Sequence, residues 1–288
     1  MSEHLWKESS QYAATTYNAG VKLWKKEDLE EIERQLTESC ITDAFTVRRI
    51  DSGILRIRNP MFGVDTPVWK PYVKFQEYWR LVKEEPDGPP ETHLCSYLVD
   101  WENQTARDYE GQIENAKALF FQMWKTWNSS KTRFSFVRQL KELLGKKKIT
   151  KIVCFGLGDI SRKAPEWWRI QNGLQSDELE ARHLDSSMIQ HCIALTIGDV
   201  LRAKAGSAKA VRLLAQDPAY TDETKEMLSE QGFEIVGQFG AGGFAEVDDE
   251  SVVFSAFVSA PVKQIIADIA RPALIIRTDG NQAFNEYG

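Results

Sequence analysis

The sequence predicts an α/β protein: a three-layer, Rossmann-like, mostly parallel sheet over about residues 149–280, preceded by a mixed α/β N-terminal extension. Three observations carry this. The run Ile152-Val-Cys-Phe155 is short and apolar, and it ends in turn chemistry at Gly156 and Gly158. A second such run, Val211-Arg-Leu-Leu-Ala-Gln216, breaks at Asp217-Pro218. A long helical pattern lies between them, so the two runs read as buried strands of a βαβ unit in a parallel sheet. Ligands of such sheets sit where strands end, so 156–161 and 217–221 are expected to face one crevice.

The remaining elements follow in order. Residues 21–39 read as a charged amphipathic helix, with Leu23, Leu29, Ile32 and Leu36 at near-helical spacing. Apolar and polar residues alternate over 45–50 and 54–58 around Asp51-Ser-Gly53, a hairpin signal. Residues 59–92 are rich in Pro and aromatics, and Pro86-Asp-Gly-Pro-Pro90 marks a loop. Two helices, 104–128 and 132–144, feed the first core strand. A long helix from about Ser176 has acids in its first turn and ends at Ala205-Gly206. A helix over 222–231, strands at 233–236, 251–257 and 273–277, and a helix at 262–270 complete the alternation. The domain division this implies is 1–103 for the extension and 104–288 for the α/β domain.

The 288 residues suffice for a sizeable core, and no apolar run reaches the roughly 18 residues of a membrane span. Met1-Ser-Glu-His-Leu-Trp6 lacks the basic and apolar regions of a secretory signal. Cys40, Cys95, Cys154 and Cys192 show no CxxC spacing, which predicts reduced thiols and a cytoplasmic or nuclear location. The net charge of −6 is uneven: residues 1–150 carry 23 Lys/Arg against 22 Asp/Glu, and 151–288 carry 13 against 20. One basic cluster, Lys131, Arg133, Arg138, Lys141, Lys146, Lys147, Lys148 and Lys151, is opposed only by Glu142. It reads either as a phosphate-binding face or as a solvated helix face with a Lys-rich loop.

Gly-Leu-Gly after a strand invites a dinucleotide or S-adenosylmethionine reading. Both need an acid closing the next strand about 20 residues on. Here that acid is Asp217, far downstream, and Ser161 and Arg162 stand where a third glycine is required. No Gly-Lys-Ser/Thr occurs either, so a nucleotide cofactor is not expected.

Asp217 ends a buried strand, so it either faces the crevice, as a base or a receptor for an amine or guanidinium, or caps the turn at Pro218. Tyr220 either orients a substrate carbonyl or packs on the rim. Glu246, Asp248 and Asp249 form an acidic group beside the Gly-rich loop 237–243. It suits acid–base work or a guanidinium, or it is an exposed turn. His183 and His191, eight residues apart, lie about 80° apart around a helix, wrong for a joint metal site. His191 then reads as a core or a substrate-facing histidine. Trp167 and Trp168 could wall the pocket. No metal ligand set is evident.

In order, Ile152-Val-Cys-Phe-Gly-Leu-Gly158, Gln190-His191 and Ala215-Gln-Asp-Pro-Ala-Tyr-Thr221 resemble the Sensitivity-to-Red-Light-Reduced-like domain family. Gly243-Phe-Ala-Glu-Val-Asp-Asp249, Pro261-Val-Lys-Gln264 and Gly280-Asn281 look like its fungal branch, over about residues 108–286. Plant and animal members are linked to light and clock signalling, transcription and haem metabolism. The resemblance also implies an aminoacyl-tRNA-dependent condensing enzyme, since fungal arginine-containing cyclodipeptide synthases share this domain. Its partners would be arginyl-tRNA and a second aminoacyl-tRNA. In that reading Ser161 is the acyl acceptor, and Asp217 with Glu246 completes the catalytic set. Gly156, Gly158, Asp159, Trp167, His191, Tyr220, Asp248 and Asp249 line the substrate, and Arg138, Lys141, Lys146, Lys147 and Lys148 meet the tRNA. The Asp-Asp-x-x-Glu element expected of those enzymes is matched only inexactly, by Asp248-Asp249-Glu250 and Asp222-Glu223-x-x-Glu226. The alternatives are a non-enzymatic regulatory protein that binds a ligand or protein partner in the same crevice, and a methyltransferase.

Overall fold

In the computed structural model, which describes residues 2–104, 111–163, 170, 177–205 and 211–278, the chain begins with two helices, α1 (Ser2–Asn18) and α2 (Lys26–Thr37). Hairpin β1 (Ala44–Arg48) and β2 (Ile54–Arg58) follows, turned by Asp51, whose carboxylate accepts the Gly53 amide at 2.9 Å. A second antiparallel pair, β3 (Trp69–Phe75) and β4 (Tyr97–Asn103), encloses the short α3 (Tyr78–Val82). The hairpin matches its alternation pattern, whereas α1, β3, α3 and β4 were not legible. Pro71 lies within β3, and a proline is tolerated because β3 is an edge strand of its two-stranded sheet.

Helices α4 (Ala116–Asn128) and α5 (Lys131–Leu144) lead into β5 (Lys151–Phe155). The series continues with α6 (Asp177–Ala205), β6 (Arg212–Gln216), α7 (Asp222–Glu230), β7 (Phe233–Ile235), α8 (Gly242–Ala245), β8 (Ser251–Ser255), α9 (Val262–Ile269) and β9 (Leu274–Arg277). The strands form one parallel sheet in the order β7-β6-β5-β8-β9, a Rossmann-like arrangement. Its central strands are buried on both faces, as their unbroken apolar runs require.

The two faces are covered differently. Ile152, Cys154, Leu213, Ala215, Val252 and Phe254 pack under residues of α4, α5, α6 and α7. Val153, Phe155, Leu214 and Val253 share a core with Phe244 and Ile265, and with Leu29, Ile32, Phe45 and Val47 of the extension. The extension therefore supplies part of the third layer. Two carboxylates pin it in place. Glu33 of α2 accepts the amides of Phe239, Ala241 and Gly242 at 3.0, 3.0 and 3.1 Å. Asp268 of α9, almost fully buried, accepts those of Leu23 and Trp24 at 2.9 and 3.2 Å. The Gly-rich loop is thus held from the extension and, through Gln216, from the sheet: Gln216 accepts the Gly243 amide at 2.6 Å and donates to the Gly240 carbonyl at 2.8 Å.

Candidate functional site

In this strand order the chain reverses direction between β5 and β8, where an open parallel sheet usually holds its ligand. Here that gap is closed. Ala256 and Phe257 donate to the carbonyls of Phe155 and Gly156, each at 3.0 Å. Gly156 is left-handed at φ +63°, and a Cβ there would run into the Phe257 carbonyl and sit 2.7 Å from a Val258 methyl. Gly158, at φ +80°, abuts the Ser187 hydroxyl of α6 in the same way. Both glycines serve a turn and close packing.

The loops after β5 and β6 do meet, as the sequence predicts. Asp159 is their junction. One of its oxygens accepts the Ser161 and Arg162 amides at 2.8 and 3.1 Å and the Ser161 hydroxyl at 3.1 Å. The other accepts the Thr221 amide and hydroxyl at 2.6 and 2.9 Å. Arg162 adds a hydrogen bond to the Ala219 carbonyl. Asp217 accepts the Gly158 amide at 2.9 Å and the Ala219 amide at 3.0 Å, one on each oxygen. It remains half-buried, with a lone pair to spare on each oxygen. Burial, reinforced by the charge of Asp159, raises its carboxyl above the usual range against the pull of those two amides and Arg162. Neither aspartate has an ion-pair partner among the described residues.

Behind this junction, His191 of α6 is fully buried. Its Nδ1 lies 2.8 Å from the Ser187 carbonyl, which can only accept, so Nδ1 carries the proton. Nε2 then accepts from the Tyr220 hydroxyl at 2.8 Å. Burial pushes the imidazole down to about 4 and the phenol well above its ordinary value, so both are neutral at pH 7. The pair positions the 217–221 loop from beneath.

Three expectations need correction. Ser161 is 0 % exposed, and its hydroxyl is engaged by Asp159, by Thr221 at 2.6 Å and by Thr224 at 3.1 Å. It knits the two loops and does not present an open nucleophile. Glu246, Asp248 and Asp249 lie at the opposite end of the sheet, away from Asp217. Lys151, at the start of β5, pairs with Glu246 at 3.5 Å and Asp248 at 3.0 Å, and Arg212, at the start of β6, pairs with Glu246 at 3.0 Å. Burial works against the charge of Asp248, but the Ser251 hydroxyl and Lys151 outweigh it and lower its carboxyl. Asp249 accepts the Arg271 amide at 2.7 Å. Finally, the basic cluster divides. Lys147 donates to the Ala273 carbonyl and Lys148 pairs with Glu250, so both tie strand ends together. Arg138, Lys141 and Lys146 stay exposed, without an ion-pair partner among the described residues. Trp167 and Trp168 lie outside the described residues.

The sequence reading missed Thr221, Thr224, Arg162 and Ser187. Thr221 had a signal: it is the N-cap of α7, with Asp222 and Glu223 in the first turn, and its hydroxyl accepts the Thr224 amide at 3.1 Å. From the extension, Lys70 donates to the Pro218 carbonyl at 3.3 Å and lies 5.4 Å above the Phe239 ring, on the rim of the same end.

A family model described as the SRR1 domain (Sensitivity to Red Light Reduced) matches residues 136–283, just over half of the chain. The chain belongs to the SRR1 domain family. The matched SRR1 region holds the whole parallel sheet, both loops of the Asp159–Asp217 junction and the His191–Tyr220 pair. Residues 2–103, which complete one face of the SRR1 sheet, lie outside the match. No curated protein and no solved structure matches the chain.

Proposed function

We propose that this SRR1 domain binds the cationic group of a small ligand at the carboxyl ends of β5 and β6, with Asp217 as its receptor. One observation carries the reading. Asp217 is half-buried and lies near a second carboxylate, with backbone amides and, among the described residues, no ion-paired cation on its oxygens. An ammonium or guanidinium would relieve the repulsion between the two acids and fill the free lone pairs.

In its most specific form, the ligand is the arginyl group of an aminoacyl-tRNA, condensed with a second residue to a diketopiperazine. The raised carboxyl of Asp217 suits it to take the proton of an attacking α-ammonium group. The amine then attacks the ester of the other aminoacyl-tRNA, releasing that tRNA through its ribose hydroxyl. The remaining α-amine closes the ring on the first ester and releases the second tRNA, with no acyl-serine. The exposed Arg138, Lys141 and Lys146 would meet the tRNA backbone.

The test uses arginine methyl ester, which carries both cationic groups on an ester. Calorimetry should show saturable binding that is lost in Asp217→Asn. Incubation with total tRNA, synthetases, ATP and labelled arginine, followed by mass spectrometry, separates the two levels. A labelled diketopiperazine supports the condensing enzyme, and binding without product leaves a ligand-binding regulatory protein. Absence of binding, or binding that Asp217→Asn leaves intact, sinks the whole reading.

A further inference from the structure

A cavity of about 390 Å³ opens in the extension, between β2, strands β3 and β4, and the loop 87–92. That is within the usual range for small-molecule sites, roughly 300–1,000 Å³. Leu55 and Ile57 of β2 and Leu98 and Val99 of β4 wall it. Leu55 and Ile57 pair directly with Val47 and Phe45, so all four project from the same face of the hairpin. Val47 and Phe45 are completely covered, yet Leu55 and Ile57 remain half-exposed. The hairpin's inner face is therefore left partly uncovered where the cavity lies.

The rim of this cavity is charged. Lys74 and Asp87 neutralise each other at 3.4 Å, and Arg80 adds a second cation to Asp87 at 3.4 Å. Two carboxylates are left with capacity. Among the described residues, Asp100 accepts the Trp101 amide at 2.8 Å and, at 3.4 Å, the Tyr72 hydroxyl, and has no ion-pair partner. Glu91 has no ion-pair partner among the described residues. Arg56, the other rim cation, is largely in solvent and points to Asp43 at 4.0 Å. The walls want apolar atoms and the open polar positions want a positive charge.

We infer that this cavity is a second binding site, for a small amphipathic cation whose apolar body lies between β2 and β4 and whose ammonium group meets Asp100 and Glu91. It shares no residue with the Asp159–Asp217 crevice and lies outside the family match.

The experiment titrates the full chain with 4-phenylbutylamine and with 4-phenylbutyrate, the same body bearing the opposite charge. The amine should bind saturably at one site, at least about tenfold tighter than the acid. Arginine methyl ester, the crevice probe, should not displace it, so failure here and failure of the crevice reading are told apart. Leu55→Trp places a larger ring into the cavity from a half-exposed position and should abolish binding, with circular dichroism checking the fold. Asp100→Asn, which keeps the apolar walls, should weaken the amine about tenfold and leave the acid unchanged. Equal binding of amine and acid, amine binding that survives both variants, or no saturation up to about 10 mM would overturn the inference.

Discussion

At the amino ends of β5 and β6, Glu246 and Asp248 stand against Lys151 and Arg212. At the carboxyl ends of the same strands, Asp159 and Asp217 meet backbone amides and hydroxyls, with no ion pair among the described residues. In the first arrangement each of these carboxylates is ion-paired within the protein, with Arg212 also shared by Glu234 at 2.8 Å, so it contributes to the scaffold and offers little to a ligand. The second keeps negative charge at strand ends, where Asp217 retains open lone pairs. Carboxylates a few bonds from a turn look alike in sequence, and their partners decide whether they are structural or receptive.

The sharpest way to break this contrast is to remove the junction itself. Asp159→Ala strands the amides of Ser161, Arg162 and Thr221 together, at a cost of about 3 kcal/mol or more. Urea denaturation should show that loss. A change below about 1 kcal/mol would mean that water replaces the carboxylate and the junction is not a structural hub.

A similar magnitude, in a defined pH window, is expected from His191. Its folded value is depressed to about 4 from 6.5, so the native state resists protonation. The stability it contributes is present above about 6.5 and is lost as pH falls towards 4, by roughly 3 kcal/mol in total. Comparing denaturation of the parent and His191→Gln from pH 7 to pH 4 isolates this slope. If both variants lose stability equally, the imidazole is not its source.

Asp217 behaves with the opposite sign. Its raised carboxyl means the native state binds a proton more readily than the unfolded chain. Its contribution therefore declines as pH rises through the window above the ordinary value of 3.8. Asp217→Asn removes that penalty but loses one amide hydrogen bond, so stability at pH 7 should move by no more than about 1 kcal/mol. Binding of arginine methyl ester should nevertheless disappear. A large loss of stability would assign Asp217 to the scaffold.

The smallest effect belongs to the amino end. Arg212 is 42 % exposed, and Arg212→Met should cost under about 1 kcal/mol while leaving crevice binding unchanged. A loss of ligand affinity would show that the two ends are coupled through β6.

Much of the parallel sheet was legible. Runs such as Ile152–Phe155 and Val252–Phe254 are buried on both faces, and their continuous apolar character announces it. The meeting of loops 156–161 and 217–221 followed from strand ends alone. What misled was proximity in sequence: Glu246 lies a few residues from the Gly-rich loop, but α8 carries the chain back to the start of the strands. The hydroxyl of Ser161 looked available because sequence does not report the threonines that surround it, Thr221 and Thr224, some sixty residues away.

By itself, the sequence determined the secondary-structure rhythm of the described residues between 131 and 277, the pairing of β5 with β6 and the meeting of the loops that follow them. Those features rest on local periodicity and turn chemistry, which a chain carries wherever it folds. Tertiary structure alone decided that the gap between β5 and β8 is closed and that Glu33 reaches the Gly-rich loop from another layer. It also decided which carboxylates find a cation and which find amides. These outcomes depend on contacts between residues distant in the chain, and the partner's position is set by packing that no local pattern encodes.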